Sequence, residues 1–122
     1  MIKFTILGPL VSQKNSKQIR RNKQGTPFIA SNKGVEEWRR SAVWQLKTQW
    51  IEEPIVAESV SISCYMGPGQ RMDLDNMLAA PLDALVAAGI ITSDNTINAI
   101  DARKYKDERD NPRYVILIGT SS

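Results

Sequence analysis

Apolar side chains follow two different spacings along this chain, every second residue in some segments and every three or four residues in others. The order of these segments constrains the fold more than any other feature of the sequence. Apolar and polar side chains alternate over 2–7 and 55–66, which is typical of half-buried strands. Over 33–50 and 75–88 apolar side chains recur every three or four residues, as in amphipathic helices. Two further strands are predicted at about 98–105 and 113–118. We therefore predict one α+β domain, residues 1–122, with a mixed sheet of about four to five strands packed against two main helices.

The first predicted helix has a clear inward face. Ser31 or Asn32 can cap it, so that the helix begins near Lys33. Its apolar positions are Val35, Trp38, Ala42, Leu46 and Trp50. The tryptophans of this stripe could stack on bases, but their helical spacing favours a place in the core.

The second strand and the second helix carry apolar positions of their own. The strand has Val56, Val60, Ile62, Cys64 and Met66 on one parity. The helix has Leu74, Leu78, Leu82 and Leu85. Gly89 is predicted to end the helix. Pro81 removes a backbone hydrogen bond there, which predicts a kink or a restart of the helix at Ala80.

A basic arm is predicted at about 12–30, where large apolar side chains are scarce. It has a candidate short hairpin around Gly25. Residues 14–40 contain eight basic and two acidic side chains, a net charge of +6 against +3 for the whole chain. The basic members are Lys14, Lys17, Arg20, Arg21, Lys23, Lys33, Arg39 and Arg40. This segment is a candidate phosphate-binding surface, although charge alone is equally consistent with a solvated face that binds nothing.

Histidine is absent from the chain, so any catalysis must use carboxylates, lysines or hydroxyls. The single cysteine, Cys64, lies in an apolar run, and we predict a buried side chain that takes part in no reaction.

No stretch approaches the roughly 18 to 20 apolar residues of a membrane span, and the N-terminus lacks the organisation of a signal peptide. We therefore expect a cytoplasmic protein that does not bind membranes.

Asp73 and Asp75 flank one leucine between a strand and a helix. In extended backbone their carboxylates would project to the same side, and a divalent cation would relieve the repulsion between them. Magnesium and manganese prefer such oxygen ligands. Asp94 is a candidate third ligand, and Asp83 and Asp101 are rivals for that place. Alternatively, the acids at 73–76, with Asn76, are only caps for the helix.

A longer motif surrounds these acids. It comprises RMDLDNMLAAPLDAL at 71–85, AGII at 88–91 and SDN at 93–95. The D-L-D-N core, the downstream D-A-L, the glycine and the later aspartate fall at the spacing found in the RusA-type Holliday junction resolvases, which this chain resembles. These are small endonucleases of bacteria and their prophages. Weaker similarity extends the resemblance over nearly all 122 residues, at Pro9, Ser12, Asn15, Gly25, Ser31, Gly34 and Arg39.

The resemblance implies a homodimer that binds branched DNA, the four-way Holliday junction, and makes paired nicks with Mg²⁺ or Mn²⁺. Asp73, Asp75 and Asp94 match the essential acids of the family and would be both catalytic and metal-binding. Ala79 departs from the family pattern, which has a catalytic lysine at this position. Lys14, Lys17 or Arg71 could substitute for that lysine. Met72 also replaces a basic residue that precedes the first aspartate in the family.

Three functional hypotheses follow. The leading one is a metal-dependent endodeoxyribonuclease that resolves junctions in DNA recombination and repair. The side chains predicted to contact DNA are Lys14, Lys17, Arg20, Arg21, Lys23, Arg39, Arg40, Arg71 and Asn76. The second is a junction-binding protein of phage origin that lost cleavage together with the lysine. The third is an α+β interaction domain whose aspartates are only helix caps.

Overall fold

The computed structural model describes residues 1–8, 17–21, 27–31, 33–67, 76–106 and 111–120, with the backbone alone for 17–21, 27–31, Lys33 and Asn76. The strands are β1 (Ile2–Leu7), β2 (Lys17–Arg21), β3 (Pro27–Ser31), β4 (Ala57–Met66), β5 (Ala99–Lys106) and β6 (Arg113–Thr120). The helices are α1 (Lys33–Gln49) and α2 (Asn76–Ala87), and a 3₁₀ turn spans Asp94–Thr96.

Four strands form the main sheet in the order β1-β6-β4-β5. β4 and β5 run parallel, and the other neighbours run antiparallel. The prediction of an α+β fold with a mixed sheet and two main helices is therefore confirmed. β2 and β3 form a separate antiparallel pair, which agrees with a hairpin in the basic arm, although Gly25 lies outside the described residues.

The core lies between one face of the sheet and α1 with α2. The inward strand residues include Phe4 and Ile6 of β1, Val60, Ile62 and Cys64 of β4, and Tyr114, Ile116 and Ile118 of β6. The predicted stripe of α1 faces them, because Val35, Trp38, Ala42 and Leu46 are all buried. Trp38 meets Tyr114 edge to face at 5.8 Å, and Trp50 meets Phe4 at 6.0 Å. Both tryptophans therefore belong to the packing, as predicted.

The predicted inward face of the second strand was wrong at Val56. Its side chain is 58% exposed, whereas Ala57 is fully buried. The pairing of β4 with β6 shifts by one residue between Ala57 and Ser59. An extra residue in one strand moves every preceding side chain to the opposite face, so the alternation seen from Val60 onward does not extend back to Val56.

The face of α2 that packs against the core differs from the face predicted from the sequence. Met77, Ala80, Ala84 and Leu85 are buried, whereas Leu78 and Leu82 are only partly buried. Leu74 lies outside the described residues. This helix is apolar on several sides, so periodicity alone could not identify the face that packs against the sheet.

Pro81 lies inside α2, which runs unbroken from Asn76, so the alternative of a restart at Ala80 was wrong. Pro81 cannot donate to the carbonyl of Met77, and its side chain is buried. Gly89 has φ of 73° and follows the end of the helix, as predicted.

α2 connects the two parallel strands as a crossover from β4 to β5. Beyond its C-terminal end, the Ile55 N–H donates to the carbonyl of Ile90, and the Thr92 N–H donates to the carbonyl of Ile55. These bonds fix the chain that leads to the 3₁₀ turn beside the start of β4. Neither helix in the described part of the chain is long and apolar enough to span a bilayer.

Candidate metal and nucleic-acid site

The acidic motif leads directly into α2. Asn76 is the first residue of that helix, and its side chain is not described. Asp73, Asp75 and Arg71 lie outside the described residues. The two roles considered for these acids, metal ligands or helix caps, therefore remain predictions.

Asp94 opens the 3₁₀ turn, and its side chain is exposed. The backbone of this turn is held at three points. Ser93 Oγ accepts from the Asn95 N–H at 3.2 Å, Thr96 Oγ1 donates to the carbonyl of Ala57 at 2.6 Å, and the Ile97 N–H donates to the carbonyl of Asp94 at 3.3 Å. No residue of the described ranges forms a hydrogen bond or ion pair with the Asp94 carboxylate. A carboxylate is thus presented to solvent from an anchored turn.

The two rival acids have partners. Arg39 Nε of α1 donates to Asp83 Oδ2 of α2 at 2.6 Å, with both side chains partly exposed at 49% and 39%. Asp101 Oδ2 lies 3.3 Å from Arg103 Nε on the same face of β5. Of the three downstream acids, Asp94 therefore has the carboxylate with no basic partner in the described part of the chain.

The predicted DNA-contacting residues divide into three groups. Arg39 and Arg40 are exposed on α1, where they line a shallow depression with Glu36, Val43 and Ala87. Lys17, Arg20 and Arg21 lie on β2, of which only the backbone is described. Lys14 and Lys23 lie outside the described residues. Arg39 also links the two helices through its ion pair with Asp83, and its predicted contact with DNA remains a prediction.

Ala79, at the position of the family lysine, lies in the first turn of α2 and is exposed. No packing against the described residues accounts for a small residue at this exposed helix position, and a lysine side chain could extend into solvent there. The departure from the family pattern is therefore chemical rather than structural.

Two surface features were not predicted from the sequence. On the face of the sheet away from the helices, Tyr65 and Tyr105 stack with ring centroids 5.0 Å apart, and Arg113 Cζ lies 4.0 Å above the Tyr65 ring. Trp44 is 69% exposed on α1, beside β1. The pairing of β4 with β5 creates the tyrosine stack, so only knowledge of the strand order could have revealed it.

Cys64 takes no part in a site. It is fully buried, and desolvation raises the pKa of its thiol to about 11, against a smaller opposing effect of Lys104. Burial likewise raises the pKa of the Tyr114 hydroxyl. Both groups stay protonated at neutral pH, and the predicted burial of Cys64 is confirmed.

The donor chemistry fits a hard divalent cation. Carboxylate oxygens are the ligands that magnesium and manganese prefer, and magnesium takes only one or two protein carboxylates with water and substrate phosphate. Asp94 supplies one such group in accessible form. Among the residues that the structure describes, no three acids, cysteines or histidines cluster as a complete metal site. A three-acid site that includes Asp94 therefore requires acids from outside the described residues.

Comparison with known families identifies the class of protein. The family model described as "Endodeoxyribonuclease RusA" matches residues 8–119, which is most of the chain. The chain therefore belongs to the RusA family of endodeoxyribonucleases, and the resemblance predicted from the acidic motif is confirmed.

A particular relative is similar in sequence. The "Crossover junction endodeoxyribonuclease RusA" of Aquifex aeolicus (strain VF5) is 36% identical over 64 residues. This stretch covers 52% of the chain and 51% of the relative, so the match spans about half the length of each protein.

Proposed function

We propose that this chain is a metal-dependent endodeoxyribonuclease that resolves four-way DNA junctions by paired phosphodiester hydrolysis in recombination and repair. The observation that carries the proposal is the Asp94 carboxylate, which is exposed on an anchored turn while Asp83 and Asp101 each pair with an arginine. Family membership and the similarity to a crossover junction endodeoxyribonuclease support the choice of substrate.

Asp73, Asp75 and Asp94 would hold Mg²⁺, with Mn²⁺ as a substitute. A cation bound by such carboxylates lowers the pKa of a coordinated water and neutralises charge on the phosphate. Asp94 would contribute through its position, because the three hydrogen bonds of its turn limit the movement of its backbone. Histidine is absent, so the protein ligands of such a cation would be carboxylates.

The basic residues would bind the DNA backbone without reading sequence. Arg39 and Arg40 present charge from α1. We assign the same role to Lys14, Lys17, Arg20, Arg21, Lys23, Arg71 and Asn76. A homodimer would bring two such sites to opposite strands of a symmetric junction.

The test is magnesium-dependent nicking of a synthetic four-way junction. Asp94→Asn and Asp75→Asn should each lower the rate by roughly a hundredfold or more, because each removes a charged ligand. Asp83→Asn is the matched control, since it removes the same charge from an acid that is paired with Arg39. Equal cutting by Asp94→Asn and wild type, or no cutting by wild type with either metal, refutes the proposal.

A calorimetric measurement tests metal binding separately from DNA cleavage. Calorimetry should detect Mn²⁺ binding to wild type and to Asp83→Asn, and much weaker binding to Asp94→Asn, because a carboxylate ligand is lost. Equal Mn²⁺ affinity in all three proteins would exclude Asp94 as a ligand. Absent binding in all three would favour the helix-cap explanation of the acidic motif.

Ala79 supports a second candidate function, a junction-binding protein of phage origin with weak or no cleavage. The residue is exposed, so the lysine of the family can be restored without steric conflict. In this case a gel shift should detect junction binding, while neither wild type nor Ala79→Lys cuts with either metal. If Ala79→Lys gained cleavage activity, the missing lysine alone would account for the loss of activity.

A further inference from the structure

The two edge strands of the main sheet, β1 and β5, differ in whether other groups bond their outward backbone atoms. At the β1 edge, the side-chain amide of Gln49 accepts from the Thr5 N–H at 2.9 Å and donates to the Thr5 carbonyl at 2.7 Å. Gln45 does the same at Leu7, with distances of 2.8 and 2.9 Å. Two glutamines of α1 thus occupy the outward backbone groups that a neighbouring strand would otherwise bond.

The β5 edge has no such cover in the described part of the chain. Seven of the eight residues of β5 are exposed, and only Ala102 is partly buried. No described strand pairs with its outer side. Ile100 is 46% exposed although it faces the same side of the sheet as the core residues of β4. Four of its eight residues are charged, so whether this uncovered edge pairs with another strand depends on how those charges are matched.

The side chains of β5 allow it to pair with a second copy of itself in one register. A two-fold axis perpendicular to the sheet pairs residues antiparallel and keeps each side chain on its own face. With the axis at Ala102, each Asp101 lies opposite Arg103 of the partner subunit, and residues 99–105 of the two strands overlap. Opposite charges in such cross-strand positions stabilise the pair.

Other registers are less favourable. Moving the axis by one residue places Asp101 opposite Asp101 of the partner subunit, or Arg103 opposite Arg103 of the partner subunit. Moving it by two residues toward the C-terminus places Lys104 opposite Lys104 of the partner subunit. Moving it by two residues the other way centres the pair on Ile100, and Asp101 then no longer lies opposite Arg103 of the partner subunit. Like charges directly opposite destabilise a strand pair. Ala102 is therefore the axis position that charge selects.

We propose that β5 is the homodimer interface, and that it pairs antiparallel with β5 of a second copy about an axis at Ala102. The two four-stranded sheets then form one continuous eight-stranded sheet. Both copies of α2 lie on the same face of it and run in opposite directions. This inference rests on the homodimer of the proposed function, and it gives the two nuclease sites a common face toward one junction.

Cysteine cross-linking tests the register in the full-length protein. Under mild oxidation Ala102→Cys should form a covalent dimer, because antiparallel partners have Cα atoms about 4.5 to 5.5 Å apart, within disulfide range. Ala99→Cys is the matched control, since its two copies would be about 20 Å apart in this register. The native Cys64 is fully buried and gives no background. Equal cross-linking of the two variants, or none in Ala102→Cys, overturns the proposal.

Charge reversal tests the interface without a cross-link. Asp101→Arg and Arg103→Asp should each weaken dimerisation in sedimentation by about tenfold or more, because two attractive pairs become repulsive. The double exchange should restore it. An unchanged dimer in both single variants, or a monomeric wild type, overturns the proposal. Junction cutting separates the two ideas, since an Ala102→Cys protein that cuts junctions but forms no cross-link refutes the interface and leaves the nuclease proposal intact.

Discussion

The glutamine pair of α1 allows a quantitative prediction about the β1 edge. Gln45 and Gln49 together form four hydrogen bonds to the backbone of Thr5 and Leu7. Replacing both with methionine keeps the length of the side chain and its preference for helix, but removes all four bonds. The outward backbone groups of β1 then become available to water or to another strand.

The expected loss of stability follows from the number of bonds. An intramolecular hydrogen bond contributes about 0.5 to 1.5 kcal/mol, and these four are solvent-accessible, which favours the lower value. We expect the double variant to lose about 2 kcal/mol of unfolding free energy in urea, or roughly 8 °C in Tm. Either single variant should lose about half of this.

The same variant should associate more strongly. An opened β1 edge is a second pairing strand, so sedimentation should detect larger species as well as dimers. Lys47→Met is the matched control, because it adds an equal apolar side chain at an exposed site of the same helix. If the double variant is as stable as Lys47→Met and forms no larger species, the glutamines do not protect this edge.

Three further predictions concern stability. Gly89→Ala should cost about 1 kcal/mol in urea unfolding, because φ is 73° while space around the residue is open. Arg39→Met should cost only about 0.5 kcal/mol, since its ion pair with Asp83 is partly exposed, and high salt should reduce the difference. The pKa of Cys64 is raised in the folded state to about 11, so its contribution to stability is complete below pH 9 and lost toward pH 11. Stability should therefore decline over that range, less steeply in Cys64→Ala.

The fold class was predictable because hydrophobic periodicity is a local property. The stripe from Val35 to Leu46 and the alternation from Val60 onward identify their elements without knowledge of the neighbours. Val56 could not be placed, because the shift in register arises from the pairing of β4 with β6. The face of α2 was also missed, since a helix that is apolar on several sides is oriented by the surface it meets.

The candidate site was predictable in its chemistry but not in its arrangement. The residue types at 73–76 and Asp94 indicate oxygen ligands for a cation. That Asp83 is bound by Arg39 could not be read from positions 44 residues apart. The hydrogen bonds of Gln45 and Gln49 to β1 could not be predicted either, because a glutamine on a helix surface indicates no partner until the adjacent strand is known.

The shift at the start of β4 also couples two distant positions in evolution. Gly119 of β6 lies opposite Ser59, and a Cβ atom at position 119 would collide with the Ser59 hydroxyl. A larger residue at 119 therefore requires either a different rotamer of Ser59 or a smaller residue at 59. Across relatives that keep this bulge, the two positions should vary together, with alanine or glycine favoured at 59 wherever 119 has gained a side chain.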